Sequence, residues 1–131
     1  MRIVGDSMAP AFRSGQLVWI DAQGYRQRSP RHGEVVAARP VSFGGRALIK
    51  RVVGLPHERI ALQGLSWQLR ADQFFLLGDS PQHSTDSRHF GPVSRAELIG
   101  PVRARLWPGT LFTTEASAQQ VSLLPAMVRR S

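Results

Sequence analysis

Short apolar runs rich in β-branched and aromatic residues follow one another along the chain and predict strands rather than helices. The predicted strands cover residues 1–4, 17–21, 34–39, 46–53, 58–63, 66–70, 73–77 and, as a last pair broken by a proline at position 101, 98–107. Gly, Pro, Asp and Ser residues mark the turns between these runs. Consecutive short strands joined by tight turns predict an all-β domain of small antiparallel sheets with little helix, covering residues 1–107.

Helix is expected in only two places. Ser94-Arg95-Ala96-Glu97 matches a capping box and predicts one helical turn. Beyond Pro108-Gly109 the periodicity is lost, and residues 116–127 form at most a short helix because Pro125 interrupts it. We therefore expect residues 108–131 to be a C-terminal tail that is disordered in part.

The composition excludes several kinds of site. The 131 residues fit a single domain, and none of them is a cysteine, so disulfides, a thiol nucleophile and thiolate zinc sites are absent. No apolar run approaches the ~18 residues that span a bilayer. Residues 2–4 are too few for the hydrophobic region of a secretory signal. The expectation is a cytoplasmic protein without a transmembrane helix, with membrane association as the alternative.

The chain is strongly basic. Seventeen Lys and Arg residues against nine Asp and Glu give a formal net charge of +8. Most arginines are scattered, and the clusters at 26–31 and 129–130 are not interleaved with aromatic residues, so no nucleic-acid partner is expected. A non-catalytic basic β module that binds nucleic acid or an acidic partner remains as an alternative from another functional class.

Lys50 is the only lysine, and it stands in the apolar run of residues 46–53, whereas sixteen other positions use arginine for positive charge. Alternation along a strand places Leu48 and Val52 on the same face as Lys50. A buried lysine can lose its proton, which arginine does not do, and burial can bring its pKa from about 10.4 to near 7. Lys50 is therefore a candidate general base.

Ser7 is a candidate nucleophile because it lies in the turn sequence Gly5-Asp6-Ser7-Met8-Ala9-Pro10, which would present its hydroxyl at a sharp change of direction. A rival pattern is a Ser-His-Asp triad, in which a histidine and an aspartate of the polar loop 78–92 complete the site. Its candidates are His83 or His89 with Asp79 or Asp86. His83, Asp86 and His89 also allow a metal site, although this spacing matches no recognised one.

Three segments together resemble the type I signal peptidase family. They are Gly5-Asp6-Ser7-Met8-Ala9-Pro10, the run from Leu48 to Pro56, and the loop from Gly78 to Val93. The resemblance spans most of residues 3–106 in the family's order, with residues 31–36 at the place of an intervening box. Within that family, the chain is most similar to the nickel-type superoxide dismutase maturation proteases, both in its short length and in the sequence Ser84-Thr85-Asp86-Ser87-Arg88. The resemblance implies a core of coiled antiparallel sheets.

The resemblance also implies roles for the candidate dyad. Ser7 would be the nucleophile, and Lys50 would be the general base. The Ser7 backbone N–H would stabilise the oxyanion, since Gly5 stands where some family members carry an oxyanion-hole serine. No cofactor or metal is expected.

The polar loop would supply the supporting residues. By resemblance, Ser84 would hydrogen-bond the Lys50 amine and orient it. Asp86 and Arg88 would form a supporting salt bridge, and Asp79 would brace the loop. The second domain of many family members is reduced here to residues 57–73.

The functional expectation is a serine endopeptidase that removes an N-terminal extension from a precursor protein, most plausibly a nickel superoxide dismutase precursor. The substrate would add as an extended segment along a strand edge, with small side chains near the cleaved bond. One alternative is a signal peptidase that cleaves secretory signal peptides at the membrane. A LexA-like self-cleaving core is disfavoured, because no DNA-binding domain or linker precedes Ser7.

Overall fold

A computed structural model describes residues 1–107, 112–113 and 128–130, and its fold is mainly β with antiparallel pairing. The strands are β1 (Leu17–Ile20), β2 (Val35–Ala38), β3 (Leu48–Gly54), β4 (Glu58–Leu62), β5 (Leu65–Gln68), β6 (Gln73–Leu77), β7 (Val93–Ser94), β8 (Leu98–Trp107), β9 (Phe112–Thr113) and β10 (Val128–Arg130). The main sheet has the order β1-β8-β2-β3-β6-β7, and β9 also pairs with β8. The second sheet has the order β10-β4-β5. The predicted all-β fold is confirmed.

Helix is confined to short turns within the described residues. The helix α1 (Ser87–Phe90) lies in the polar loop, and 3₁₀ turns cover Val41–Phe43, Pro81–His83 and Arg95–Glu97. The last of these turns carries the capping box predicted from Ser94 and Glu97. No helix among the described residues is long and apolar enough to cross a membrane.

Strand β3 lies inside the main sheet, and the apolar side chains on its two faces pack in different clusters. Leu48 and Val52 pack in one cluster with residues of β2, β6 and β7. Ile49 packs in another cluster with Ile3, Met8 and Phe12 of the N-terminal segment and with residues of β1, β2 and β8. The N-terminal segment therefore covers one face of the sheet and brings residue 7 next to β3.

The break predicted at Pro101 is wrong, because β8 is one continuous strand of ten residues. Pairing changes partner at this position: residues up to Pro101 pair with β2, and residues from Val102 onward pair with β1. The Pro101 carbonyl accepts a hydrogen bond from the Asp21 N–H at 3.0 Å. The missing N–H of proline therefore falls where the strand exchanges one neighbour for another, and the strand can continue.

The predicted first strand is reduced to one bridge, between Arg2 and Leu17. Ile3 still exchanges hydrogen bonds with this neighbouring segment, donating to the Gln16 carbonyl and accepting from the Gly15 N–H. Gly15 has φ 90°, and this left-handed residue ends the regular ladder directly before β1.

Residues 112–113 and 128–130 form two strands that the sequence did not predict. β9 pairs with β8, and β10 pairs with β4, so parts of the expected tail 108–131 join both sheets. The helix predicted at 116–127 lies outside the described residues. The division into a domain of residues 1–107 and a tail stays a prediction.

Candidate active site

Ser7 lies in a turn that is anchored on both sides. Met8 is 2% exposed in the core, and the Ala9 N–H donates to the Asp6 carbonyl at 3.1 Å. The Ser7 carbonyl accepts from the Ser80 N–H at 2.8 Å, which ties the turn to the polar loop. The Ser7 residue is partly exposed. Among the described residues no hydrogen bond involves the Ser7 N–H, so this donor can serve a bound group.

The Lys50 amine lies 2.6 Å from the Ser7 hydroxyl oxygen, across 43 positions of sequence. Lys50 is 4% exposed within β3. Burial lowers its pKa to about 8, while the negative charge of Asp86 acts in the opposite direction and the positive charge of Arg88 acts in the same direction as burial. Near pH 8 a large fraction of this amine is neutral and can accept a proton from the hydroxyl next to it.

Asp86 is fully buried and is the centre of the polar loop. Its carboxylate accepts hydrogen bonds from the Gly78 N–H at 3.0 Å, from the Ser84 hydroxyl at 2.7 Å and from the Arg88 guanidinium at 2.9 and 3.0 Å. Burial alone would raise the pKa of Asp86, but these donors outweigh burial and lower it below its usual value. The Asp86 side chain also caps helix α1. It therefore stays ionised and holds the loop together.

The hydrogen bond expected between Ser84 and the Lys50 amine is not present. The Ser84 hydroxyl donates to Asp86 instead. A hydroxyl has one proton, and here the buried carboxylate accepts it, so the Ser84 oxygen could meet the Lys50 amine only as an acceptor. Ser84 thus contacts Asp86, whose negative charge acts to raise the pKa of Lys50.

Gly78 allows the polar loop to approach the Ser7 turn closely. A Cβ atom at this position would lie 2.2 Å from the Ser84 hydroxyl oxygen and 2.8 Å from the Ser7 carbonyl oxygen. Any other residue would force these groups apart. The glycine is therefore part of how the site is assembled.

Arg51 is a structural residue of the site that sequence reasoning missed. It is 1% exposed, and its guanidinium forms two hydrogen bonds with Asp79, at 2.9 and 2.6 Å, and one with the Gly33 carbonyl at 2.9 Å. Asp79 thus braces the start of the polar loop against β3, on the residue next to Lys50. An arginine inside an apolar run was the available signal, since a buried charge needs a partner.

The histidines do not assemble a triad with Ser7. His89 is paired with Asp86 in the capping box of helix α1, and its side chain is 54% exposed. His83 is exposed and lines the cleft described next. Within the described residues no group of three or more His, Asp and Glu side chains could hold a metal ion.

A cleft of about 300 Å³ opens beside Ser7 and Lys50. It is lined by residues 1–5 and 46–49 and by Phe43, His83 and Thr85. Strand β3 pairs with β6 only from Arg51 onward. The edge of residues 48–50 on the β6 side has no strand partner among the described residues. Because these residues line the cleft, this edge can pair with an extended chain bound there.

Two kinds of comparison identify similar proteins. The family model described as signal peptidase, peptidase S26, matches residues 1–66 and 62–107. A probable signal peptidase I-2 of Synechocystis is 28% identical over an alignment of 155 residues that covers 94% of this chain and 71% of that protein.

Relatives from other organisms agree with that match. Mitochondrial inner membrane protease subunit 1 of Schizosaccharomyces pombe is 34% identical over 110 residues, covering 79% of this chain and 70% of that protein. A signal peptidase I of Leptolyngbya laminosa is 27% identical over 136 residues, covering 81% and 67% respectively.

Proposed function

Because the chain belongs to the signal peptidase family, peptidase S26, and is a serine endopeptidase that acts on precursor proteins, we propose that Ser7 is its nucleophile and Lys50 its general base. The observation that carries this assignment is the 2.6 Å contact between the Ser7 hydroxyl and a buried amine whose pKa is lowered to about 8. Since the family consists of peptidases, the alternative of a non-catalytic basic module is set aside.

The mechanism requires the neutral amine. Lys50 takes the Ser7 proton as the hydroxyl oxygen attacks the scissile carbonyl, and then gives that proton to the leaving amine. The product is an acyl-enzyme, in which the precursor's N-terminal extension is esterified to Ser7. Lys50 then takes a proton from a water molecule, and the water oxygen attacks the ester carbonyl. The proton passes from Lys50 to the Ser7 oxygen as the ester bond breaks, which releases the extension as a free acid.

Positioning residues keep this pair in its geometry. Asp86, held by Arg88 and Ser84, fixes the loop whose Ser80 N–H binds the Ser7 carbonyl. Asp79 holds the same loop to β3 through Arg51. The unoccupied N–H of Ser7 is the proposed donor to the oxyanion, and a well-placed donor of this kind contributes about 10²- to 10³-fold in rate.

The substrate segment binds as an added strand. The unpaired edge of residues 48–50 provides backbone donors and acceptors, and it ends at Lys50, beside the nucleophile. Main-chain hydrogen bonds along this edge would place a scissile carbonyl next to Ser7. Small side chains near the cleaved bond suit this arrangement, because the peptide backbone must approach β3 closely.

The proposed substrate is the precursor of a nickel superoxide dismutase, from which the enzyme removes the N-terminal extension. Support comes from the sequence Ser84-Thr85-Asp86-Ser87-Arg88, which is most similar to that of the nickel-type superoxide dismutase maturation proteases. With this substrate we expect the enzyme to work in the cytoplasm. The alternative is a signal peptidase at the membrane, which the names of the bacterial relatives favour.

Purified enzyme should distinguish the two substrate classes. We expect cleavage of a nickel superoxide dismutase precursor at a rate well above that of a secretory precursor tested at the same concentration. N-terminal sequencing of the product locates the cleaved bond, and the Ser7→Ala variant controls for contaminating proteases. Faster cleavage of the secretory precursor would favour the signal peptidase alternative.

The pH profile should report the Lys50 amine. Only the neutral amine can accept the Ser7 proton, so kcat/KM should rise about tenfold per pH unit at low pH and level off above the lysine's pKa. The midpoint is expected near 8. A profile with a midpoint near 6.5, the usual value of histidine, would instead favour a histidine base.

A further inference from the structure

We propose that the cleft beside Ser7 selects precursors that carry an acidic side chain a few residues from the cleaved bond, with Arg46 as the main determinant. This inference rests on the proposed peptidase function and adds the charge of the substrate to it.

The described lining of the cleft contains cationic side chains and no carboxylate. Arg2, Arg46 and Lys50 all line it, and His83 adds an imidazole. Since the chain carries a net charge of +8, the wider field of the protein has the same sign. A substrate with a negative charge at the right position would be attracted, and one with a positive charge would be repelled.

Arg46 is held in place without using its charge on an acidic partner. Its guanidinium lies 4.3 Å from the centre of the Phe43 ring, and Phe43 packs on Phe90 with ring centres 5.7 Å apart. No carboxylate among the described residues forms an ion pair with Arg46. Stacking on an aromatic face leaves the N–H donors at the edge of the guanidinium available, and these donors fit a carboxylate.

Arg2 is a weaker candidate. Its guanidinium already donates to the Gly15 carbonyl at 3.0 Å, so part of its donor capacity is occupied. Lys50 already contacts the Ser7 hydroxyl. Among the Arg and Lys side chains of the described lining, Arg46 is therefore the one whose donors no hydrogen bond or ion pair occupies.

The position of Arg46 predicts where the acidic side chain lies. Arg46 precedes Lys50 by four residues, which is roughly 13 Å of extended chain at about 3.3 Å per residue. A substrate strand laid along the same edge covers that length in about four residues. The preferred acidic position should therefore be roughly three to five residues from the cleaved bond.

Internally quenched peptides with alanines on both sides of the cleaved bond test this preference. Glu, the isosteric Gln or Lys is placed at each position on either side, and kcat and KM are measured at pH 8. We expect Glu at one position three to five residues from the bond to raise kcat/KM about two- to tenfold over Gln, mainly through KM. The advantage should shrink at high salt.

Two variants assign the preference to Arg46. Arg46→Gln should abolish the advantage of Glu over Gln, and Arg46→Glu should reverse it in favour of a Lys peptide. Arg70→Gln removes the same charge from an exposed position that does not line the cleft, so it should keep the preference.

The results distinguish failure of the proposed peptidase function from failure of the proposed role of Arg46. If the wild type cleaves neither these peptides nor any precursor, the proposed function fails, and the preference fails with it. If the wild type cleaves Glu and Gln peptides equally at every position, or if Arg46→Gln and Arg70→Gln behave alike, the peptidase stands and the role of Arg46 is overturned.

Discussion

Replacing Lys50 by Met is expected to lower the rate of precursor cleavage by at least about 10³-fold, because the variant has no group that can take the Ser7 proton. Met fills a similar apolar volume and carries no charge, so the free energy of unfolding should stay the same or rise. Lys50→Arg should be nearly as inactive, since arginine keeps the cation but does not release a proton. Ser7→Ala should lose activity to a similar extent.

Circular dichroism and thermal denaturation of the same preparations provide the control. A matched exposed variant, Arg70→Gln, should keep full activity and stability. Substantial cleavage by Lys50→Met or Lys50→Arg, with wild-type kinetics, would contradict the assignment of the base. Substantial cleavage by Ser7→Ala would contradict the assignment of the nucleophile.

Replacing Arg51 by Met is expected to lower the free energy of unfolding by about 3–5 kcal/mol, the largest stability effect that the described contacts predict. The substitution leaves the Asp79 carboxylate, only 14% exposed, without its partner, and it also removes the donor to the Gly33 carbonyl. The melting temperature should fall by roughly 10–20 °C. Activity should fall as well, because the polar loop loses its brace to β3.

The double variant Arg51→Met with Asp79→Leu distinguishes loss of a buried partner from loss of packing. Removing both charges eliminates the unpaired carboxylate, so we expect it to recover part of the stability. Arg70→Met, which changes an exposed arginine in the same way, should shift the free energy of unfolding by no more than about 0.5 kcal/mol. A loss below about 1 kcal/mol in Arg51→Met would contradict the view that this pair holds the loop.

The strand pattern of residues 17–77 could be predicted because each strand has a strong local signal. Apolar and β-branched residues alternate with clear turns, and Gln63-Gly64, both with positive φ, form the tight turn of the β4-β5 hairpin. The alternation in β3 was also predictable, since Leu48 and Val52 share one cluster and Ile49 lies in the other.

Features that depend on partners distant in sequence were not predictable in the same way. Proline at position 101 is compatible with a continuous strand only because β8 changes neighbours there. Arg51 pairs with Asp79 across 28 positions, and nothing local indicates this partner. The Ser84 hydroxyl donates to Asp86 and does not contact the Lys50 amine, which depends on where the folded loop places the carboxylate. Family resemblance indicated which residues meet, but not each hydrogen bond between them.

The mechanism requires that the Lys50 amine lose its proton near pH 8, and this can be tested directly because Lys50 is the only lysine of the chain. Protein labelled with [ε-¹³C]lysine gives one side-chain resonance, whose chemical shift can be followed through a pH titration by NMR. We predict a midpoint near 8 that coincides with the midpoint of the kcat/KM profile. A midpoint near 10.5, the value of an exposed lysine, would contradict the account.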